Sequence, residues 1–168
     1  MKHLLLLRHA KSSWKDAECD DFDRPLNKRG RRNAPLMGQR LAEHGEVPEV
    51  IISSPARRAR DTAQLVAAAM HYDKSAIHFE PCIYDADVGT LIELIGHLEP
   101  SRQDVMLVGH NPGLTDLANL LAPCQINNIV TCGVVKLAFE ADSWPDIQFS
   151  SGRMLFYDYP GNEHWTSS

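Results

Sequence analysis

No two cysteines in this 168-residue chain are spaced C-x-x-C. Cys19, Cys82, Cys124 and Cys132 are scattered, which speaks against a zinc site and against a disulfide framework. The eight histidines include no H-E-x-x-H pattern, so the expectation is a protein without metal or cofactor. Long hydrophobic runs are missing too; the longest are strand-sized, and no membrane partner is expected. Basic residues are not in excess. With 17 Lys and Arg against 22 Asp and Glu and a net charge of −5, the chain is a poor candidate for nucleic-acid binding. Met1-Lys2-His3, four leucines and then Arg8 are too short for a secretory leader, and the expected location is cytoplasmic. No internal repeat and no low-complexity linker divides the chain. Its length suits one domain over residues 1–161, followed by a loose tail over 162–168.

What is present reads as an ordinary core: 43% of the residues are hydrophobic and 23% charged. Leu4–Leu7, Val50–Ile52 and Val105–Val108 are continuous apolar runs of the kind found in strands buried on both faces. Ile77–Phe79 reads as an edge strand. Helices are expected from Asn27, as cap, to about His44, over Ala56–Met70, over Val88–Leu98 and over Leu114–Leu121. Leu36, Met37, Leu41 and Ala42 form the apolar face of the first, and Pro35 predicts a kink or a helix start nearby. Val130–Phe139 and Arg153–Tyr159 are β-rich and joined by a polar turn around Ser143–Asp146. The alternation predicts a three-layer α/β/α fold whose mainly parallel sheet ends in an antiparallel edge.

Three strand ends then converge. Arg8-His9 follows the first strand, Ser53-Ser54-Pro55 with Arg57-Arg58 the second, and Gly109-His110-Asn111-Pro112-Gly113 the Val105–Val108 strand. Parallel strands that stop together put their loops on one sheet edge, where open α/β folds place their ligands. Two of these loops also open helices, whose free N–H groups favour anions. Two arginines, two histidines and two helix starts around one crevice make an oxyanion site.

Leu7-Arg8-His9-Ala10, Ser53-Ser54-Pro55 with Arg58-Ala59 and Thr62-Ala63, and Gly109-His110-Asn111-Pro112-Gly113 together resemble the histidine phosphatase, or phosphoglycerate mutase-like, superfamily. Arg8-His9-Ala10-Lys11-Ser12, and Asp23-Arg24-Pro25-Leu26 with Gly30 four residues on, resemble its small SixA-type phosphohistidine phosphatases. The resemblance runs over essentially the whole chain. It implies that His9 is the nucleophile, forming a phosphohistidine intermediate, with its other ring nitrogen donating to a backbone carbonyl. It implies that Arg8, Arg58 and His110 hold the phosphoryl oxygens, with His110 protonated when phosphate is bound. Arg57, the neighbour of Arg58, is assigned to the helix surface.

Other residues keep two readings. Asp85, in Ile83-Tyr84-Asp85-Ala86-Asp87, matches the position of the general acid in larger members of the superfamily; the alternative for Asp85 and Asp87 is a helix cap or a solvated carboxylate. Arg24 either turns into the site to bind substrate or pairs with Asp20, Asp21 or Asp23. The acidic run Asp16–Asp23 is either a solvated loop or a rim that disfavours polyanions and accepts a basic protein surface. Trp14 either stacks on a substrate ring or packs into the core.

The stretch from Met70 to Ile83 leaves no room for a large cap over the crevice. An open site suits a phosphohistidine displayed on a folded protein, and its imidazole leaving group needs less acid assistance than an alkoxide. The expected substrate is therefore a phosphohistidine-bearing protein and the product inorganic phosphate. A small-molecule phosphomonoesterase of the same superfamily and a non-catalytic phosphate-binding adaptor are the alternatives.

Overall fold

Every residue of the Leu4–Leu7 run is buried, because alternate side chains enter two different cores. Leu4 and Leu6 join one cluster with Ile52, Val105 and Leu107; Leu5 and Leu7 join the other with Ile51, Met106 and Val108. A sheet covered on both faces needs such uninterrupted apolar strands. The computed structural model describes residues 1–162. The strands are β1 (Lys2–Arg8), β2 (Val50–Ser53), β3 (His78–Phe79), β4 (Asp104–Gly109), β5 (Val134–Phe139) and β6 (Arg153–Asp158). They form one sheet in the order β3-β2-β4-β1-β5-β6. The first four in that order are mutually parallel, and β5 pairs antiparallel with both β1 and β6. This is the expected mainly parallel sheet with an antiparallel edge.

Two helix layers cover the sheet. α1 (Lys28–Glu43) and α2 (Arg57–Ala69) bury Ala34, Met37, Leu41, Ala59, Ala63 and Val66 on one face. α3 (Val88–Gly96) and α4 (Gly113–Leu121) bury Leu91, Ile95, Leu114, Leu117 and Leu121 on the other. Asn27 caps α1, its side chain accepting from the Gly30 N–H. A Cβ at Gly30 would stand 2.2 Å from the Lys11 carbonyl, so only glycine lets α1 dock under the segment after β1. Gly113 plays the same part for α4, where a Cβ would meet the Ala86 carbonyl at 2.5 Å.

The structure departs from expectation in three places. α1 continues across Pro35, which neither starts the helix nor ends it. The backbone hydrogen bond that proline forfeits is outweighed by the buried face Ala34, Met37, Gly38 and Leu41. Leu36 is 39% exposed and is not part of that face. β5 begins at Val134, because the backbone at Gly133 and Cys132 turns to bond β1's end instead of a ladder: Arg8 N–H donates to Gly133 O, and Cys132 N–H to Arg8 O and His9 O. Of the tail expected over 162–168, residues 163–168 lie outside the described residues.

Candidate active site

Strand register fixes the site. Arg8 of β1 is opposite Gly109 of β4, and Ser53 of β2 is opposite Val108, so the three strands stop at one level of the sheet edge. Two further backbone bonds lock the chains leaving that edge: His9 N–H to Gly109 O at 3.0 Å and Ser54 N–H to Val108 O at 2.9 Å. α2 and α4 begin in the same place. Thr62 ties the corner together, its hydroxyl donating to Arg58 O at 2.7 Å and accepting from Ala10 N–H at 2.9 Å.

The structure brings Arg8, His9, Arg58 and His110 together, with the two imidazole centroids 5.2 Å apart. His9 Nδ1 lies 2.7 Å from Ala10 O, an arrangement that puts the proton on Nδ1 and a lone pair on Nε2. Burial lowers His9 to about 3, against the raising effect of that carbonyl, so the ring is neutral at ordinary pH. His110 is lowered to about 4, first by burial and then by the Arg58 charge; an anion placed between these two residues acts in the opposite direction. His110 Nε2 lies 2.7 Å from Ser54 Oγ, and that oxygen accepts from Ala56 N–H, which leaves its hydroxyl hydrogen for the ring nitrogen. Arg8 donates from Nη1 to Ile129 O at 2.9 Å.

Three buried nitrogens remain without a partner among the described residues: Arg8 Nε, Arg58 Nε and His110 Nδ1. Buried donors are nearly always paired, because leaving one unpaired costs about 1–3 kcal/mol. Arg8 Nε and Arg58 Nε are donors outright, and His110 Nδ1 is one when Ser54 donates to Nε2 or a bound anion protonates the ring; around the His9 imidazole the three make a cradle for an oxyanion.

The crevice has two lobes that share Arg58, His110 and Asn111. One, about 370 Å³, is cationic, with Arg8, Lys11, Arg24, Arg58 and the two histidines in its wall. The other, about 290 Å³, is acidic, bounded by Asp21, Tyr84, Asp85 and Asp87. A larger groove of about 400 Å³ beside β3 lies elsewhere and includes none of these residues.

Each residue with two readings now has a place. Asp85 is exposed, in a left-handed backbone conformation (φ 58°), on the wall of the acidic lobe. Asp87 is the helix cap, accepting from Thr90 N–H at 2.8 Å. Arg24 lines the cationic lobe, and its Nε pairs with Asp21 at 3.1 Å. Arg57 is exposed and pairs with Asp61 on α2 at 3.8 Å. Trp14 is 76% exposed and packs into no core; the Arg24 guanidinium covers its ring at 3.5 Å.

Sequence reasoning missed two residues. Asp21, one acid among several, accepts from Arg58 at 3.0 Å and from the Tyr84 hydroxyl at 2.7 Å. Tyr84 stands edge-on to His110, with centroids 5.7 Å apart. The Tyr84 hydroxyl, ahead of the two guanidiniums and against a smaller effect of burial, holds the Asp21 carboxyl down at about 2. The three-residue spacing of Asp21 and Arg24 was the one local signal for such a pair.

The family model of the histidine phosphatase superfamily (branch 1) matches residues 4–105. The chain belongs to that superfamily. As one of its phosphatases, it carries the first two strand-end motifs within the matched segment and His110 just beyond it. An uncharacterised protein of Mycobacterium tuberculosis is 37% identical over 164 residues, spanning 92% of this chain and 99% of that one. An uncharacterised chloroplastic protein of Arabidopsis thaliana is 33% identical over 159 residues, spanning 90% and 72%. Among solved structures, the Agrobacterium tumefaciens protein assigned as the phosphohistidine phosphatase SixA is 30% identical, with a TM-score of 0.78 and coverage of 95% and 99%. A protein histidine phosphatase SixA complexed with tungstate shares the fold at a TM-score of 0.80 and 20% identity, over 94% and 97%. Among the described residues, no helix is long and apolar enough to cross a membrane.

Proposed function

We propose that this phosphatase removes phosphoryl groups from phosphohistidine on proteins, by way of a phosphorylated His9. The observation that carries this reading is the set of unpartnered buried nitrogens, Arg8 Nε, Arg58 Nε and His110 Nδ1, around an imidazole whose Nδ1 is engaged by Ala10. A site that only bound phosphate would have no need of a buried neutral imidazole beside the donors.

In the first step His9 Nε2 attacks phosphorus. The new N–P bond forms as the bond to the substrate's imidazole breaks; with a proton on its other nitrogen, that ring takes the electron pair and leaves as neutral imidazole. Arg8, Arg58 and His110 hold the equatorial oxygens, where fixed donors need no reorganisation during transfer. Arg24 completes the wall of this lobe. Water then attacks phosphorus, the His9–phosphorus bond breaks, and inorganic phosphate leaves.

Two features support a phosphohistidine substrate on a protein. An imidazole leaving group has a pKa of about 6.5, so the reaction asks little of an acid, and Asp85 is a solvent-exposed carboxylate. The chain between α2 and Asp85 holds only short turns and the two-residue β3, which leaves the crevice open to a folded partner. The SixA likeness at 30% identity points the same way, and the tungstate complex of the more distant one shows that protein taking a phosphate-like oxyanion. Asp85 in the acidic lobe is the one observation that favours a small-ester phosphatase instead.

The test is a trapping experiment. Wild type quenched during turnover of a phosphohistidine protein should carry acid-labile phosphate, and His9→Ala should carry none and lose activity by about 10⁴-fold or more. Absence of any phosphoenzyme, or efficient turnover of small esters with phosphohistidine proteins untouched, would overturn the reading.

A further inference from the structure

Asp21 belongs to none of the three strand-end motifs, yet the groups of the crevice converge on it. Arg58 donates from Nη1 to the Asp21 backbone carbonyl at 2.6 Å and from Nη2 to Oδ2 at 3.0 Å. Tyr84 donates to the same Oδ2 at 2.7 Å, and Arg24 Nε to Oδ1 at 3.1 Å. Arg58 and Arg24 are 6% and 7% exposed, whereas the Asp21 side chain is 51% exposed. A surface loop thus brings one carboxylate to two buried guanidiniums.

The pattern on Arg58 is informative. A guanidinium has five N–H groups. Asp21 takes one from each terminal nitrogen, so the fork is gripped at one end. What remains is the buried, unpartnered Nε–H and one hydrogen on each terminal nitrogen. Those are the donors a phosphoryl group beside His9 would use. Without Asp21, Arg58 would keep its charge but lose the contacts that set its orientation, and Arg24 would face two other guanidiniums of the same lobe with no counter-charge.

We propose that Asp21 is a positioning residue and counter-charge for the phosphoryl site. It grips Arg58 and draws in Arg24 so that their free donors face the crevice, and its charge weakens the hold of that lobe on released phosphate. This rests on the reading that Arg58 binds the phosphoryl group. The arrangement exchanges affinity for orientation, which favours turnover over retention of product.

Asp21→Asn and Asp21→Ala in the full chain test it, with a phosphohistidine protein and an aryl phosphate as substrates and inorganic phosphate as inhibitor. With either substrate kcat should fall about tenfold in Asp21→Ala and less in Asp21→Asn, whose carbonyl oxygen still accepts from one guanidinium. In both variants the inhibition constant of phosphate should drop, meaning tighter binding, by roughly three- to tenfold. A residue that merely anchored its loop would leave phosphate binding unchanged or weaken it. Unchanged kcat, or phosphate binding that is unchanged or weaker, would therefore overturn the proposal. Arg58→Ala is the control for the underlying reading: it should weaken phosphate inhibition by about tenfold or more, and if it does not, the assignment of Arg58 to the phosphoryl group fails whatever Asp21 does.

Discussion

The cationic and acidic lobes share Arg58, His110 and Asn111, yet they are built by different means. Arg8, His9 and His110 stand on or next to strand ends whose register is set by apolar pairs deep in the sheet, such as Leu7 with Val108. The acidic lobe is assembled from loops. Asp21 and Tyr84 are 63 residues apart and meet through one hydrogen bond. The difference teaches that the chemistry common to a superfamily rides on the sheet edge, while what adapts it to a substrate is carried by loops that need no change in the core.

Arg58 is the sharpest place to break that division, since it faces both lobes. Arg58→Ala removes a donor from the cationic lobe and strips Asp21 of its closest cation. The expected loss in kcat is about 10²- to 10³-fold, in the range found when a preorganised oxyanion donor is deleted. Asp85→Asn, on the acidic side only, should cost far less. Steady-state kinetics of the two variants side by side would check the ranking. An equal loss would mean that both lobes act on the same atoms.

The lobes also differ in how they respond to acid. His9 and His110 titrate near 3 and 4 when folded, chiefly through burial, against an ordinary value of about 6.5 for an unfolded histidine. Between those limits the unfolded chain binds more protons, so stability falls as pH drops from about 6.5 toward 4 and is restored above 6.5. The combined effect is of the order of a few kcal/mol at pH 4. Asp21, held near 2, acts with the same sign only below about 4 and leaves that window to the imidazoles. Thermal unfolding from pH 7.5 to 4.5 should show a falling Tm in wild type and a shallower slope in His110→Gln. Parallel slopes would show that the cationic lobe tolerates charged imidazoles.

The same division explains what could be read beforehand. Leu4–Leu7, Val50–Ile52 and Val105–Val108 announce buried strands by composition, and once those strands are parallel their loops share an edge; Arg8, His9, Arg58 and His110 were legible for that reason. Pro35 does not start the helix, because a local propensity is overridden by the packed face of α1. Val130–Gly133 has strand-like residues, but Cys132 N–H and Gly133 O are spent on Arg8 and His9 at the end of β1. Asp21 was hidden among four neighbouring acids, and only long-range folding selects it for Arg58. Trp14 reads as core by its size and is instead a ring for Arg24 to lie on.

Asp85→Asn should have the smallest effect of these changes on phosphohistidine turnover and bears most directly on substrate. The carboxylate lines the lobe on the side of Arg58 and His110 away from His9, within a loop that Gly113 allows to press against α4. If it donates a proton, its value depends on how basic the departing atom is. An alkoxide leaves with a pKa far above neutrality and needs that proton in the transition state, whereas an imidazole of pKa about 6.5 leaves readily. Turnover of an alkyl phosphate should therefore fall by about 10- to 100-fold in Asp85→Asn. Turnover of a phosphohistidine protein should change by less than about threefold. The quantity to compare is kcat/KM across substrates graded by leaving-group pKa: a slope that steepens in the variant assigns Asp85 to proton donation. Equal losses on both substrate types would instead make Asp85 part of the wall that shapes the acidic lobe, and the open crevice alone would then favour phosphohistidine.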